Sequence, residues 1–250
     1  MITSSTPDTW QNLQTEVARI LKECGFDVVL EKTIKTARGT VEVDVYAEEF
    51  VQGRKYSIVC ECKHWKSAVP QSVIHSFRTV VADIGANVGH IVSLNGFQSG
   101  AFKASELTNL KLLTWQEFQN DFEESCYESY FSPTIAKKLD PLLTYAEPLL
   151  PKWFGNLPEG EKDKYMSLKE RYDEFGWAIM SFTPYVRMLK KEAISQLPLS
   201  SKVLSNSSIR ENVPKELLTK TGYREFLEVA VSFGEKVISQ FRAIRDRNAV

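Results

Sequence analysis

The chain reads as an α/β protein with a mixed central sheet flanked by helices, followed by a C-terminal all-α region. Three observations predict this. Residues 41–45 and 55–63 are apolar and polar by turns across a polar stretch that holds Gly53, so they pair as an antiparallel hairpin. Next, a helical apolar period from Val73 to Ile84 leads into the apolar run 88–94, giving a strand–helix–strand unit and a sheet that mixes both senses of pairing. After Trp115 the composition shifts to helical periods punctuated by prolines.

The elements run in this order. Ser5 or Thr6 caps a first helix, Pro7 suits its first turn, Asp8 favours its positive end and Gly25 stops it. Trp10, Leu13, Val17, Ile20 and Leu21 form its apolar stripe. Glu16 borders that stripe, and on spacing alone it is a solvated edge residue. Residues 26–34 read as a strand, Ala37, Arg38 and Gly39 as a turn, and residues 48–54 as the hairpin connection. Pro70 opens the helix that Gly85 closes, a short helix spans 101–107, and the last strand covers 110–113.

The second half begins with an acidic helical stretch, 116–130. Pro133, Pro141, Pro148, Pro151 and Pro158 then predict short pieces that bridge the halves. Leu168, Tyr172, Phe175, Ile179 and Phe182 mark a helix within 162–194 that Pro184 kinks or divides, and 200–208 is a polar loop. Phe226, Val229, Ala230, Phe233, Val237, Phe241 and Ile244 make the stripe of a last helix, with Arg242, Arg245 and Arg247 at its negative end. The domains expected are 1–120 and 121–250.

Composition narrows the function classes. A hydrophobic content of 43% and a charged content of 25% are those of a soluble globular protein, and a net charge of −1 rules out a global basic field. Residues 121–250 hold nineteen basic and nineteen acidic side chains, so the helical half does not advertise nucleic acid either. Cys24, Cys60, Cys62 and Cys126 lack zinc-finger spacing and read as reduced core thiols. Gly96 and Gly100 bracket a turn with no Gly-Lys-Ser/Thr ending, which argues against a nucleotide-hydrolysing motor. His75 and His90 have no partners at metal-ligand spacing and are expected to be structural. The first residues lack a basic segment with an apolar run behind it, and no stretch approaches the ~18 apolar residues of a membrane span. A cytoplasmic protein without membrane contact is expected.

The chemistry lies in the hairpin. Strand side chains alternate, so Glu61 and Lys63 share one face while Cys60 and Cys62 take the other. The same rule puts Val41, Val43 and Val45 on a buried side with Glu42 and Asp44 opposite, and pairing of the two strands brings Asp44 towards Glu61. Two carboxylates flanked by a lysine suit metal-dependent attack on a phosphodiester, because hard oxygen ligands hold Mg²⁺ and the ion activates water and neutralises phosphoryl charge. The lysine then orients or deprotonates the water, or stabilises developing charge. For His64 and Trp65 two readings stay open: contact with a phosphate or base, or packing where the strand leaves the sheet.

Asp44, then Glu61, Cys62 and Lys63, resembles the D…ExK core of the PD-(D/E)xK nuclease superfamily, and within it the Mrr-type restriction endonucleases. The run from Gly89 to Ala101, with its Gly96-Phe97 turn, and the segment from Leu110 to Trp115 resemble the strands, turn and helix beyond the core in that family. The likeness covers residues 10–120, with Val43 standing where the eponymous proline would be. It implies a restriction-endonuclease-like fold in which Asp44, Glu61 and the first-helix Glu16 bind Mg²⁺ or Mn²⁺ and Lys63 positions or activates water. Gln71 falls where some relatives carry a glutamine near the metal, and plain surface polarity stays equally open for it. DNA is the implied substrate, in prokaryotic restriction or anti-phage defence, with an activating partner from the same system as a further implication. Cutting both strands needs two sites, hence a homodimer. Two alternatives remain: a nucleic-acid-binding or partner-binding subunit dormant until activated, and an RNA-directed nuclease. The helical half is a recognition, sensor or oligomerisation module on this reading.

Overall fold

The structure is a computed structural model that describes residues 1–146, 150–185, 194, 196–201 and 213–248. Its chain divides into two compact units, Met1–Ser129 and Tyr130–Val250. The first is built on a five-stranded sheet in the order β1-β2-β3-β4-β5. Strands β1 (Asp27–Thr36), β2 (Gly39–Val51) and β3 (Arg54–Lys63) pair antiparallel, whereas β4 (Val88–Ser93) and β5 (Leu110–Thr114) join β3 in parallel. The sheet is therefore mixed, as the hairpin and the strand–helix–strand unit predict.

Helices cover both faces. On one side α1 (Trp10–Glu23) and α4 (Trp115–Cys126) bury Leu13, Val17, Ile20, Leu21 and Phe118 against Val45, Ala47, Ile58, Cys60, Cys62 and Val92. On the other, α2 (Gln71–Ile84) and α3 (Ser99–Ser105) bury Ile74, Phe77, Val81, Ala101 and Ala104 against Val43, Tyr46, Val59 and Ile91. All four cysteines are buried, and burial pushes the Cys60 and Cys62 thiols up, so they stay protonated core residues. His90 is buried against Phe118 and Phe122, and burial first, then Lys111, pushes its pKa down to about 4; it packs as a neutral ring.

Local details differ from the sequence reading for identifiable reasons. The cap of α1 is Thr9, whose side chain accepts from Asn12 N at 3.1 Å; Ser5 instead gives its carbonyl to the Trp115 indole N–H at 3.2 Å, tying the N-terminal arm to α4. The β2–β3 connection shrinks to Gln52 and Gly53, both at positive φ (50° and 76°), since a two-residue turn of this handedness matches strand twist. Val43 and Val45 do not share a face: Val43 joins the α2 side and Val45 the α1 side. The slip falls opposite Glu31 of β1, which has φ 48° between the paired positions Leu30↔Val45 and Lys32↔Val43, so a kinked edge strand breaks the alternation.

The second unit is helical. Its long helices are α5 (Ser132–Ala146), which comes after a π-helical turn at Tyr127–Phe131, then α6 (Glu159–Met180) and α8 (Tyr223–Arg247), with a short α7 (Lys215–Thr219) before the last. Pro141 lies inside α5 without ending it, against the expectation of short pieces. Buried Ile135, Leu139, Leu142 and Tyr145 hold that helix together, offsetting the ~3 kcal/mol that an interior proline costs. Tyr145 stacks on Phe241 at 4.4 Å and Tyr165 meets Phe241 edge-on at 5.2 Å, so aromatic rings fill the core between α5, α6 and α8. Helix α6 stops at Met180 and helical backbone resumes at Pro184 and Tyr185, so the expected helix is divided there; residues 186–193 and most of the polar loop expected over 200–208 lie outside the described residues. Among the described residues no helix is long and apolar enough to cross a membrane.

Helix α2 lies on the sheet with no room to spare at Gly89. A Cβ there would meet Val81 Cγ2 at 2.5 Å, Leu110 Cδ2 at 2.7 Å and Phe77 Cε1 at 2.9 Å. Gly89→Ala should therefore lower stability by about 1–3 kcal/mol through overpacking. In urea unfolding the midpoint should fall with the slope unchanged; an unaltered midpoint would show that α2 can shift freely.

Candidate active site

The site forms where β2 leaves β3. Register between them runs from Val51↔Arg54 to Val45↔Cys60 and stops there, although both strands continue: β2 remains paired with β1 out to Gly39, and β3 with β4 out to Lys63↔Ser93. The sheet thus forks beyond Val45 and Cys60. Asp44 sits at the crotch, and its Oδ2 accepts the Cys62 amide N–H at 2.7 Å, replacing the strand partner that amide has lost. Its other oxygen has no partner among the described residues.

Glu61 and Lys63 project from the β3 arm of the fork, on the face away from Cys60 and Cys62. The Lys63 ammonium donates to Glu61 Oε1, and it also lies 5.3 Å from the centroid of the Trp65 ring. Burial, and then the charge of Asp44, push the Glu61 carboxyl above its ordinary value of 4.5, with Lys63 pulling the other way. A half-buried carboxyl that feels a second carboxylate marks a place where a cation is welcome. A cavity of about 370 Å³ opens beside it, with Glu42, Glu61 and Lys63 on one wall and α2 on the other. Larger hollows of about 580 and 550 Å³ occur between helices of the second unit, but other residues line them.

The other sequence candidates, Glu16 and Gln71, sit on α1 and α2. Glu16, on α1, is 4.0 Å from Arg19 Nη1, and Asp44 and Lys63 rather than Glu16 are the charges that act on Glu61. Gln71 opens α2, where its Nε2 lies 3.0 Å from His75 Nε2 and its Oε1 would be 3.0 Å from a Cβ at Gly100. Among the described residues no group of three or more His, Cys, Asp or Glu is arranged to hold a metal. The donor set still suits Mg²⁺, which keeps several waters and is commonly held by one or two carboxylates with substrate oxygens completing its shell. Sequence reasoning missed Asn95, whose side-chain amide donates to the Trp65 carbonyl from thirty residues away. No local pattern signals such a contact.

The Glu61 shift sets the sign of a pH effect in metal-free protein. A carboxyl whose folded pKa is raised binds its proton more tightly in the folded state, so its contribution to stability is full below 4.5 and is lost as pH rises through the folded value. Glu61→Gln removes that loss. With EDTA present, the variant should melt above the wild type at pH 7.5, and the gap should close at pH 4; a gap of equal size at both would contradict the burial of a charged Glu61.

Residues 8–121 match the Mrr_cat restriction endonuclease family. No curated protein matches the chain. Two solved structures align with it: a protein of unknown function, AF1548, at 17% identity over 92% of this chain and 99% of that one (TM-score 0.39), and the DNA modification-dependent restriction endonuclease AspBHI at 11% identity over 46% and 35% (TM-score 0.29). It is thus the segment 8–121, which holds the fork with Asp44, Glu61 and Lys63, that is similar to the Mrr_cat restriction endonucleases.

Proposed function

We propose that the chain is a metal-dependent endonuclease that hydrolyses phosphodiester bonds of DNA, and that Asp44, Glu61 and Lys63 are its working groups. The observation that supports this most is the raised Glu61 carboxyl, held beside Asp44 at the fork and bridged to Lys63. On this reading Mg²⁺ or Mn²⁺, when bound, supplies activation of water and neutralisation of charge on the phosphoryl oxygens. Asp44, through the oxygen not used by Cys62, and Glu61 would hold it, and Glu16 would complete the set after a change of partner from Arg19. Lys63, whose ammonium donates to Glu61, would orient the attacking water or meet charge developing on phosphate. Gln71, at the first turn of α2, would hydrogen-bond at the edge of the site.

The setting we infer is prokaryotic restriction or anti-phage defence in the cytoplasm, with a homodimer supplying one site per strand and a partner from the same system as activator. Residues 121–250 would be the recognition, sensor or oligomerisation module, joined to a nuclease domain at 1–120.

Purified protein with Mg²⁺, Mn²⁺ or Ca²⁺ on methylated and unmethylated DNA tests the proposal. Asp44→Ala and Glu61→Ala should each abolish cutting while thermal unfolding stays cooperative. Lys63→Ala should lower kcat about 10²- to 10⁴-fold and leave calorimetric metal binding nearly intact, because an ammonium is not a metal ligand. DNA binding without cleavage in any metal would turn the assignment to a dormant binding subunit, and cutting of RNA alone would turn it to an RNA-directed nuclease.

Glu16 has its own test. As a ligand, Glu16→Gln should raise the Mg²⁺ concentration needed for half-maximal rate. As a surface residue it should alter stability by less than about 0.5 kcal/mol and leave the metal curve where it was.

A further inference from the structure

Trp65 is 40% exposed, yet its backbone is held fast. Asn95 Nδ2 donates to its carbonyl, and the far end of the same loop is tied again, with Val69 N donating to Gly96 O at 3.0 Å and Gln98 N donating to Val69 O at 3.0 Å. Val69 and Phe97 thereby form a parallel bridge between the loops that leave β3 and β4. An exposed indole is thus fixed at the rim of the cavity that Glu61 and Lys63 line. The Lys63 ammonium lies 5.3 Å from the ring centroid, so the indole stands beside the charged groups of the site.

The cavity has the dimensions and chemistry of a single-nucleotide site. Its volume of about 370 Å³ is at the small end of the ~300–1,000 Å³ typical of ligand pockets, with room for a nucleobase. Ser72 and Ser76, one turn apart on α2, offer hydroxyls along one wall, Glu42 offers a carboxylate to an exocyclic amine, and Phe77 supplies an apolar floor. The chain as a whole has a net charge of −1, so no global basic field draws nucleic acid to it. Stacking supplies affinity that does not depend on such a field, and it tolerates any sequence because every base has a π face.

We propose that this pocket takes one unpaired nucleotide of the strand to be cut, its base stacked on Trp65, so that the preferred substrate is DNA with an unpaired base at the cleavage point. The inference rests on the nuclease reading for the identity of the ligand. Its test does not need cleavage.

Fluorescence anisotropy in EDTA would compare a duplex bearing a one-nucleotide bulge with the fully paired duplex. Wild-type protein should bind the bulged duplex about tenfold tighter, in keeping with the loss of one stacked base. Trp65→Ala should abolish that preference without changing affinity for paired DNA, Trp65→Phe should retain most of it, and Ser76→Phe, which fills the cavity from the α2 wall, should abolish it independently. With 2-aminopurine at the bulge, wild-type protein should change its fluorescence and Trp65→Ala should not. Equal affinities in the wild type, or a preference that survives in Trp65→Ala, would overturn the proposal. A protein that prefers the bulge yet cuts neither duplex in Mg²⁺ or Mn²⁺ would uphold the pocket and overturn the nuclease reading. One that cuts both at the same rate without a binding preference would do the reverse.

Discussion

The bond from the Cys62 amide to Asp44 Oδ2 occupies the point where the β2–β3 ladder would otherwise continue. A buried amide stripped of its strand partner has to be satisfied, and a carboxylate is a stronger acceptor than the carbonyl it replaces. That one substitution has two consequences. It lets β2 and β3 separate without an orphaned donor, which opens the fork, and it fixes a negative charge beside Glu61. The raised Glu61 carboxyl results from that placement together with burial, and the bridge to Lys63 only partly offsets it.

Such a crowded group of charges needs a stiff support, and the sheet provides it from both sides. The face carrying Glu61 backs onto the core that holds Val59, Ile91 and α2, and the opposite face buries Cys60 and Cys62 under α1. Gly89 lets α2 approach β4 closely, and the first turns of α2 form the far wall of the cavity. Side chains at strand ends are positioned by ladders and packing on each side of them, which holds a reacting geometry more tightly than a free loop does.

Much of this was legible in the sequence because it depends on period-two alternation. Glu61 and Lys63 fall on one face and Cys60 and Cys62 on the other as the spacing requires, and the mixed sheet arises from a hairpin ahead of a strand–helix–strand unit. The features that were not legible depend on tertiary detail. Val43 and Val45 separate because Glu31, on a neighbouring strand, adopts positive φ. Thr9 outcompetes Ser5 as a helix cap because the Ser5 carbonyl is held by an indole more than a hundred residues away. Pro141 is absorbed into α5 by the packing of its neighbours. At the site, Asp44 could be placed near Glu61 by pairing alone, but its bond to Cys62 marks the end of a ladder, and ladder ends have no signature in hydrophobic pattern.

Electrostatics connects the fork to the proposed chemistry. Asp44, Glu61 and Lys63 together carry one net negative charge, so a phosphate approaching them in metal-free protein is repelled, and the chain's overall charge of −1 does nothing to reverse this. Asp44 and Glu61 would hold a divalent cation whose two positive charges bring that local charge to one net positive. The groups that repel the substrate are then the ones that, once neutralised, attract it. On the proposed reading, metal and nucleic acid therefore bind with positive coupling: each lowers the free energy of binding the other, because the cation removes the repulsion and the phosphate oxygens complete its shell.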